Sequence, residues 1–530
     1  MHRAGSIIAP LDTTLVEQLM LPAAFDYPVE SVERIETHIS WVILTDRYAY
    51  KIKKPLVLDF LDFGDLERRR FYCDEELRLN RPWARDIYLD VVAITDDAGQ
   101  ARFGGSGTAI EYAVRMRRFD QDMRLDHQLD LGLLTVDDMH DLGKAVATRH
   151  MAAPVVSSNF RQRVLRMTIQ QIRDNFAAID GYVEPDSMSS LLEWTEHELR
   201  DAAAVFEQRF DAGFARDCHG DLHLANLVRM PDGIRAFDCI EFSEDLRRID
   251  VFCDIAFLVM DLVAKERSDL AAHFLNRYLE HCGDYAGVAL LDMYFVYRCL
   301  VRAKVAVIGS QECDVEKERL RNIAEADRYG RIALRQTRKP APTLVIMFGL
   351  SGSGKTWVSE RLMAALPAIR LRSDVERKRL FGLSVTADSE SDINKGIYAE
   401  HSSRDVYEQL LKTAKLILTS RHHVILDATF LHTADRNLAL EMADSGGFSA
   451  VVVAVHAPLN LMRERLQNRA HEAVDASEAR LEVLEHQLSI AEPPTAAELE
   501  RTIEFENVGR PDMNGLLTAI RRSAGSSRHH

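Results

Sequence analysis

The segment Gly349-Leu350-Ser351-Gly352-Ser353-Gly354-Lys355-Thr356 constrains this chain more than any other. It is a complete G-x-x-x-x-G-K-T loop, in which glycines let successive backbone N–H groups close around phosphate oxygens. Such a loop works between a strand and a helix, whose N-terminus adds positive dipole to the cradle. Both flanks are present. Thr343-Leu344-Val345-Ile346-Met347-Phe348 is an apolar run of the kind found in strands buried on both faces of a parallel sheet. Trp357 to Ala365 reads as the following helix. The C-terminal part is therefore expected to be a P-loop α/β/α sandwich with a parallel sheet. Lys355 is expected to reach the β- and γ-phosphates of ATP, and Thr356 to ligate Mg2+. Gly349, Ser351, Gly352, Ser353 and Gly354 form the rest of the cradle.

Further strands are expected at Ile369 to Leu371, Val424 to Asp427 and Val451 to Val455. Open α/β sheets bind ligands at strand C-termini, where Asp374 and Asp427 fall. Leu461 to Arg469 reads as a helix with Arg465 and Arg469 on one face. The elements Ser373-Asp374-Val375-Glu376-Arg377 and Asp427-Ala428-Thr429 resemble those of small P-loop kinases that phosphorylate hydroxyl groups, the group of zeta toxin, gluconate kinase and phage polynucleotide kinase. The resemblance implies that Asp374 positions or deprotonates the acceptor hydroxyl and that Arg377 steadies substrate or phosphate. It implies too that Asp427 assists magnesium or substrate, and that Arg465 or Arg469 closes over the transferring phosphate. Members of this group accept very different molecules, so the reaction type is implied and the acceptor is left open.

A second constellation lies upstream in His219-Gly220-Asp221-Leu222-His223-Leu224-Ala225-Asn226. Asp221 and Asn226 stand at the spacing of the kinase catalytic loop, H-x-D-x-x-x-x-N. Phosphoryl transfer needs a carboxylate to orient or deprotonate the attacking hydroxyl and an oxygen ligand for magnesium nearby. The next residues fit a hairpin, Leu227 to Met230 and Ile234 to Phe237 around Pro231-Asp232-Gly233. That hairpin returns Asp238 beside Asn226, as a second metal carboxylate requires. The segment resembles the aminoglycoside phosphotransferase and choline kinase family, whose loop reads HGDxxxxN. The similarity continues through Arg248 to Ala256 and Tyr297 to Lys304. It implies that Asp221 is the catalytic base and that Asn226 and Asp238 hold magnesium. Asp250 and Asp254 read equally well as ion-pair or capping residues.

A kinase small lobe also needs a strand lysine paired with a helix glutamate. Tyr48 to Lys53 reads as that strand, with Lys51 and Lys53 on one face. Lys51 fits the family pattern better, and its partner is expected to be Glu75 or Glu76 on a helix from Glu67 to Leu79. Strands are expected as well at Ser40 to Leu44, Ile87 to Ile94 and Ile110 to Met116. The run Gly104-Gly105-Ser106-Gly107 lacks a following helix and reads as a hairpin turn. From about Val136 to Arg335 the pattern is mainly helical, so a strand-rich lobe precedes a larger helical one, the outline of a two-lobed protein-kinase-like fold.

These readings divide the 530 residues into a phosphotransferase-like domain over 1–337 (small lobe about 30–120, helical lobe about 121–337), a Pro340-Ala341-Pro342 linker within 338–342, a P-loop domain over 343–522 and a disordered tail over 523–530. The formal charge of −16 argues against broad electrostatic binding to nucleic acid or anionic membrane. Seven scattered cysteines without CxxC pairs, no secretion signal and no long apolar run point to a reduced, cytoplasmic setting. The expected function is a tandem phosphotransferase, each half moving a γ-phosphoryl from ATP to a hydroxyl of a small molecule such as a sugar, an aminoglycoside-like compound or a nucleotide sugar. Two alternatives stand beside it: one half is a regulatory ATP-binding module, or the C-terminal half is a 5′-hydroxyl polynucleotide kinase.

Overall fold

Two sheets of opposite construction organise the chain. The computed structural model describes residues 13–58, 61–384, 400–472 and 481–526. The chain forms two interleaved compact units. The first comprises residues up to Asp141, Arg149–Asp174 and Phe206–Asp261, and the second comprises Leu142–Thr148, Asn175–Val205 and the chain from Leu262 onward.

The first unit is built on six strands: β1 (Glu33–Glu36), β2 (Ser40–Leu44), β3 (Tyr48–Lys53), β4 (Tyr88–Asp97), β5 (Gln100–Phe103) and β6 (Thr108–Arg117). Their order is β1-β2-β3-β6-β4-β5, with every neighbouring pair antiparallel. In β3, Lys51 faces Val42 of β2 and Val114 of β6, so the candidate lysines sit mid-sheet. Helix α1 (Leu66–Ala84) starts where Asp65 accepts a hydrogen bond from the Arg68 N–H at 2.8 Å, a side-chain cap for an otherwise orphan donor. Cys73, Ala84, Tyr88 and Val114 share one apolar cluster, which fixes the helix on the sheet.

The run at 104–107 differs from its expected form. Strand β5 pairs with β4, not with β6, so Gly104–Gly107 crosses between strands on opposite sides of β4. The hairpin turn is instead Ala98-Gly99, both at positive φ (56° and 85°), as a two-residue turn with matching twist requires. A second hairpin joins β7 (Leu227–Met230), on its expected residues, to β8 (Gly233–Ala236), which starts one residue earlier than expected. Helix α2 (Val251–Ala264) follows.

The second unit holds helices α3 (Ser268–Cys282), α4 (Val288–Glu312) and α5 (Glu316–Thr337) together with a parallel sheet. The Pro340–Pro342 segment therefore lies inside this unit. The sheet contains β9 (Thr343–Phe348), β10 (Ile369–Arg372), β11 (Val424–Asp427), β12 (Ser449–His456) and β13 (Thr502–Glu506), in the order β10-β11-β9-β12-β13. Every pair is parallel. Helix α6 (Lys355–Ala365) follows β9, α7 (Ser373–Leu380) follows β10, and α8 (Leu459–Glu472) and α9 (Leu481–Ile490) follow β12. Val345, Met347, Val358, Leu362 and Val453 form the core beneath the loop. The expected disordered tail begins as helix: Met513–Ser526 is helical, and residues 527–530 lie outside the described residues. Among the described residues no helix is long and apolar enough to cross a membrane.

Candidate active sites

In the first unit the two candidate lysines converge on one carboxylate. Lys51 Nζ lies 2.9 Å from Glu76 Oε1 and Lys53 Nζ 2.8 Å from Glu76 Oε2. Their other partners separate them. Lys51 also reaches Asp238 Oδ1 at 2.5 Å, on a side chain 46% exposed, whereas Lys53 pairs with the buried Glu241. Lys51 thus faces the open side of the site and Lys53 is interior. Burial opposes the charge on Lys51, but Asp238, Glu76 and Glu241 hold its pKa well above the ordinary lysine value. Burial likewise opposes ionisation of Glu76, yet the two lysines hold it well below the usual carboxylate range. Burial pushes Glu241 up despite Lys53.

Glu75 does not share this role. It pairs with Arg78 at 2.8 Å and approaches Arg247 at 3.7 Å. Adjacent helical positions point about 100° apart, so only one of the two glutamates can face β3.

The loop carrying Asp221 is fastened from beneath. Asp254, in the first turn of α2, accepts the His219 N–H at 3.0 Å and the Gly220 N–H at 2.9 Å, and lies 3.1 Å from His150 Nε2. Asp250 makes a bidentate pair with Arg209 at 2.6 and 2.9 Å. Both aspartates therefore act as structural capping or ion-pair residues. His219 is fully buried, which lowers its pKa and favours neutral imidazole. Its Nε2 lies 2.9 Å from the Phe237 carbonyl. Gly220 sits at φ +86°, where a Cβ would meet the Leu246 carbonyl at 3.0 Å.

Asn226 Nδ2 donates to Asp221 Oδ2 at 2.8 Å, and the Phe237 N–H donates to the Asn226 carbonyl at 3.0 Å. The hairpin base thereby returns Asp238 to the site. The Asp238 N–H donates to the Tyr88 hydroxyl at 3.0 Å and the Cys239 N–H to Asn80 Oδ1 at 2.9 Å. His223, not singled out from the sequence, places Nε2 3.2 Å from Asp221 Oδ2.

In the second unit the Gly349–Thr356 loop runs from β9 into α6. Gly349, Gly352 and Gly354 have φ of +146°, +82° and +93°, and a Cβ on Gly352 would lie 2.7 Å from the Met462 carbonyl. Arg465 of α8 donates to the Gly352 and Ser353 carbonyls at 3.2 and 3.0 Å and to the Asn507 carbonyl at 2.9 Å. In this state it braces the loop. Asn507 adds a bond from Nδ2 to the Ser353 carbonyl at 2.9 Å. Lys355 Nζ donates to the Leu350 carbonyl at 2.9 Å, and Gln487 of α9 accepts the Ser351 N–H at 2.8 Å.

Asp427, at the end of β11, accepts from Ser359 of α6 at 2.8 Å, which places its carboxylate at the helix that begins with Lys355 and Thr356. Asp374 and Arg377 both lie on α7, directly after β10. The Arg469 side chain lies outside the described residues. Gln487, Asn507 and Ser359 carry no motif, and only the fold brings them to the loop.

A family model described as an AAA domain matches residues 344–494. Uncharacterized protein Rv2004c of Mycobacterium tuberculosis is 30% identical over 447 residues, spanning 83% of this chain and 87% of the relative. Among solved structures, a choline/ethanolamine kinase family protein from Mesorhizobium loti is 12% identical with a TM-score of 0.36, covering 62% of this chain and 98% of its own. A gluconokinase from Sinorhizobium meliloti is 21% identical with a TM-score of 0.23, covering 36% of this chain and 93% of its own.

Proposed function

The chain belongs to the same family as Rv2004c of Mycobacterium tuberculosis, and on that premise we propose that it is an ATP- and Mg2+-dependent tandem phosphotransferase, with catalytic regions over 1–337 and 343–522. The observation that carries the reading is the ion-pair chain Glu76–Lys51–Asp238 beside Asp221 and Asn226. A lysine shared between a helix carboxylate and a metal-side carboxylate is what a kinase uses to grip the α/β-phosphates.

In the first site Lys51 holds the nucleotide phosphates and Glu76 orients Lys51. Asp221 accepts the acceptor hydroxyl's proton, assisted by the nearby His223. Asn226 and Asp238 are an oxygen donor pair suited to magnesium, a hard cation. In the second site the loop N–H groups and Lys355 hold the phosphates, and Thr356 and Asp427 are the corresponding oxygen donors. Asp374 orients or deprotonates the acceptor hydroxyl, and Arg377 neutralises phosphate charge. Bound magnesium neutralises charge on the phosphate oxygens in both. Everything else is positioning in a preorganised site.

The test is a phosphorylation screen of small-molecule alcohols with labelled ATP, run on the intact protein, Asp221→Asn and Lys355→Ala. Each substitution is expected to abolish transfer to its own acceptor. Full transfer in both single variants and in the double variant would sink the proposal.

A further inference from the structure

The edge strand β10 and helix α7, which carries Asp374 and Arg377, are held by residues upstream of the proline segment. Among the described residues, strand β10 has a sheet neighbour on one side only. On its other side Asn276 of α3, itself buried, donates from Nδ2 to the Ala368 carbonyl at 2.9 Å and accepts the Arg370 N–H at 2.7 Å. One side-chain amide thus makes the ladder bonds that a further strand would have made.

Glu280, on the same helix and 3% exposed, lies 3.1 Å from Arg370 Nη2 and 3.9 Å from Arg372 Nη1. Arg370 is also buried, and among the described residues its Nε and Nη1 have no hydrogen-bond partner, which leaves its Nη2 contact with Glu280 to compensate its charge. Arg372 is the residue before Ser373 and Asp374. Helix α7 is fixed at a second point. Arg379 donates to the Glu280 carbonyl at 2.5 Å and to Glu376 at 2.7 and 2.9 Å, and Tyr285 donates its hydroxyl to Glu376 at 3.0 Å. Gly283 caps α3 at φ +75°, and a Cβ there would meet Arg379 at 2.8 Å. Asp374 lies between these two anchors, Arg370/Arg372 and Glu376/Arg379, and Arg377 lies within the second.

We infer that Glu280 and Tyr285 are positioning residues for the acceptor side of the P-loop site. They act through Arg370, Arg372, Glu376 and Arg379 on the placement of Asp374 and Arg377. The second phosphotransferase therefore draws essential parts from the helical segment before residue 338. This rests on the reading of the P-loop half as a phosphotransferase.

The test uses the full chain in an Asp221→Asn background, which silences the first site, with ATP and water or a polyol panel as acceptor probes. Glu280→Gln is the primary variant, and Tyr285→Phe is the milder one should Glu280→Gln fold poorly. Turnover that Lys355→Ala removes is expected to fall about ten-fold or more, as misplacement of reacting groups costs. Amide exchange of residues 369–380 is expected to quicken while that of 343–348 does not. Affinity for a fluorescent ADP, counted as the binding that Lys355→Ala removes, is expected to stay within about two-fold, because the phosphate cradle is built from other elements.

Normal turnover in both variants would overturn the inference. So would a parallel loss of ADP affinity and of protection across the whole sheet, the signature of a merely structural role. If Lys355→Ala leaves parent turnover unchanged, the phosphotransferase reading itself fails, which is a separate outcome from the first two.

Discussion

Lys51 and Lys53 share Glu76, and removing Lys53 should cost mainly stability while removing Lys51 should cost mainly activity. In Lys53→Met, Glu76 keeps Lys51, but Glu241 loses the cation at its carboxylate in a position only 3% exposed. An unpaired carboxylate at such a site escapes by taking up a proton. At pH 7, protonating a carboxyl with an ordinary pKa near 4.3 costs about 3.5 kcal/mol, within the range for breaking a buried pair. For a unit of this size that is a fall in Tm of about 7–14 °C.

The sign with pH follows. In the variant, folded Glu241 binds a proton that the unfolded chain lacks, so its folded pKa is raised. The penalty is full above that raised value and shrinks by about 1.4 kcal/mol per unit as pH falls from 7 towards 4.3. The deficit should be about 2 kcal/mol at pH 6. In Lys51→Met, Glu76 keeps Lys53 and the half-exposed Asp238 is hydrated, so the cost is about 1 kcal/mol while transfer at the first site is lost. Urea unfolding read by hydrogen-exchange protection of residues 48–53 at pH 7 and pH 6 measures both. Equal costs for the two variants, or a Lys53→Met deficit that does not change with pH, would refute this division of labour.

Two further outcomes are expected. Gln487→Ala frees the Ser351 N–H, for which a bound phosphate oxygen would compete, so ADP affinity at the P-loop should rise about three- to ten-fold, the worth of one modest hydrogen bond; unchanged binding in a fluorescent-ADP titration argues against that competition. Asp254→Ala strands two buried N–H groups of the loop carrying Asp221 and removes the carboxylate beside His150 Nε2. Stability should fall by about 3 kcal/mol or more with loss of first-site transfer, and calorimetry with the acceptor assay checks both.

What could be read beforehand divides along physical lines. Strands β2, β3 and β9 fall on their expected residues because dense apolar or alternating segments bury their side chains whatever surrounds them. The edge strands β1 (Glu33–Glu36, wholly exposed) and β13 carry too little apolar signal to be seen in isolation. The glycines at 104–107 suggested a hairpin because turn residues mark a reversal without naming its partner strand. The same contrast holds at the sites. The Gly349–Thr356 loop and the Asp221/Asn226 pair are contiguous and so were legible. Glu75 and Glu76 are neighbours in sequence, and only the rotation of α1 about its axis separates them. Gln487 and Asn507 reach the Gly349–Thr356 loop, and Glu280 reaches β10, from distant segments, and nothing local marks them.

The amide of Asn276 along β10 has a consequence for how the protein is made. Helix α3 leaves the ribosome nearly a hundred residues before the strand it covers, so the side that carries Asn276 and Glu280 must wait until β10 arrives. A chain begun at residue 338 would present the opposite defect, a bare hydrogen-bonding edge of the sort that recruits other strands. Splitting the gene at the proline segment, the obvious place to cut, should therefore yield one fragment with an orphaned helix and another prone to aggregate, and the two should recover when synthesised together.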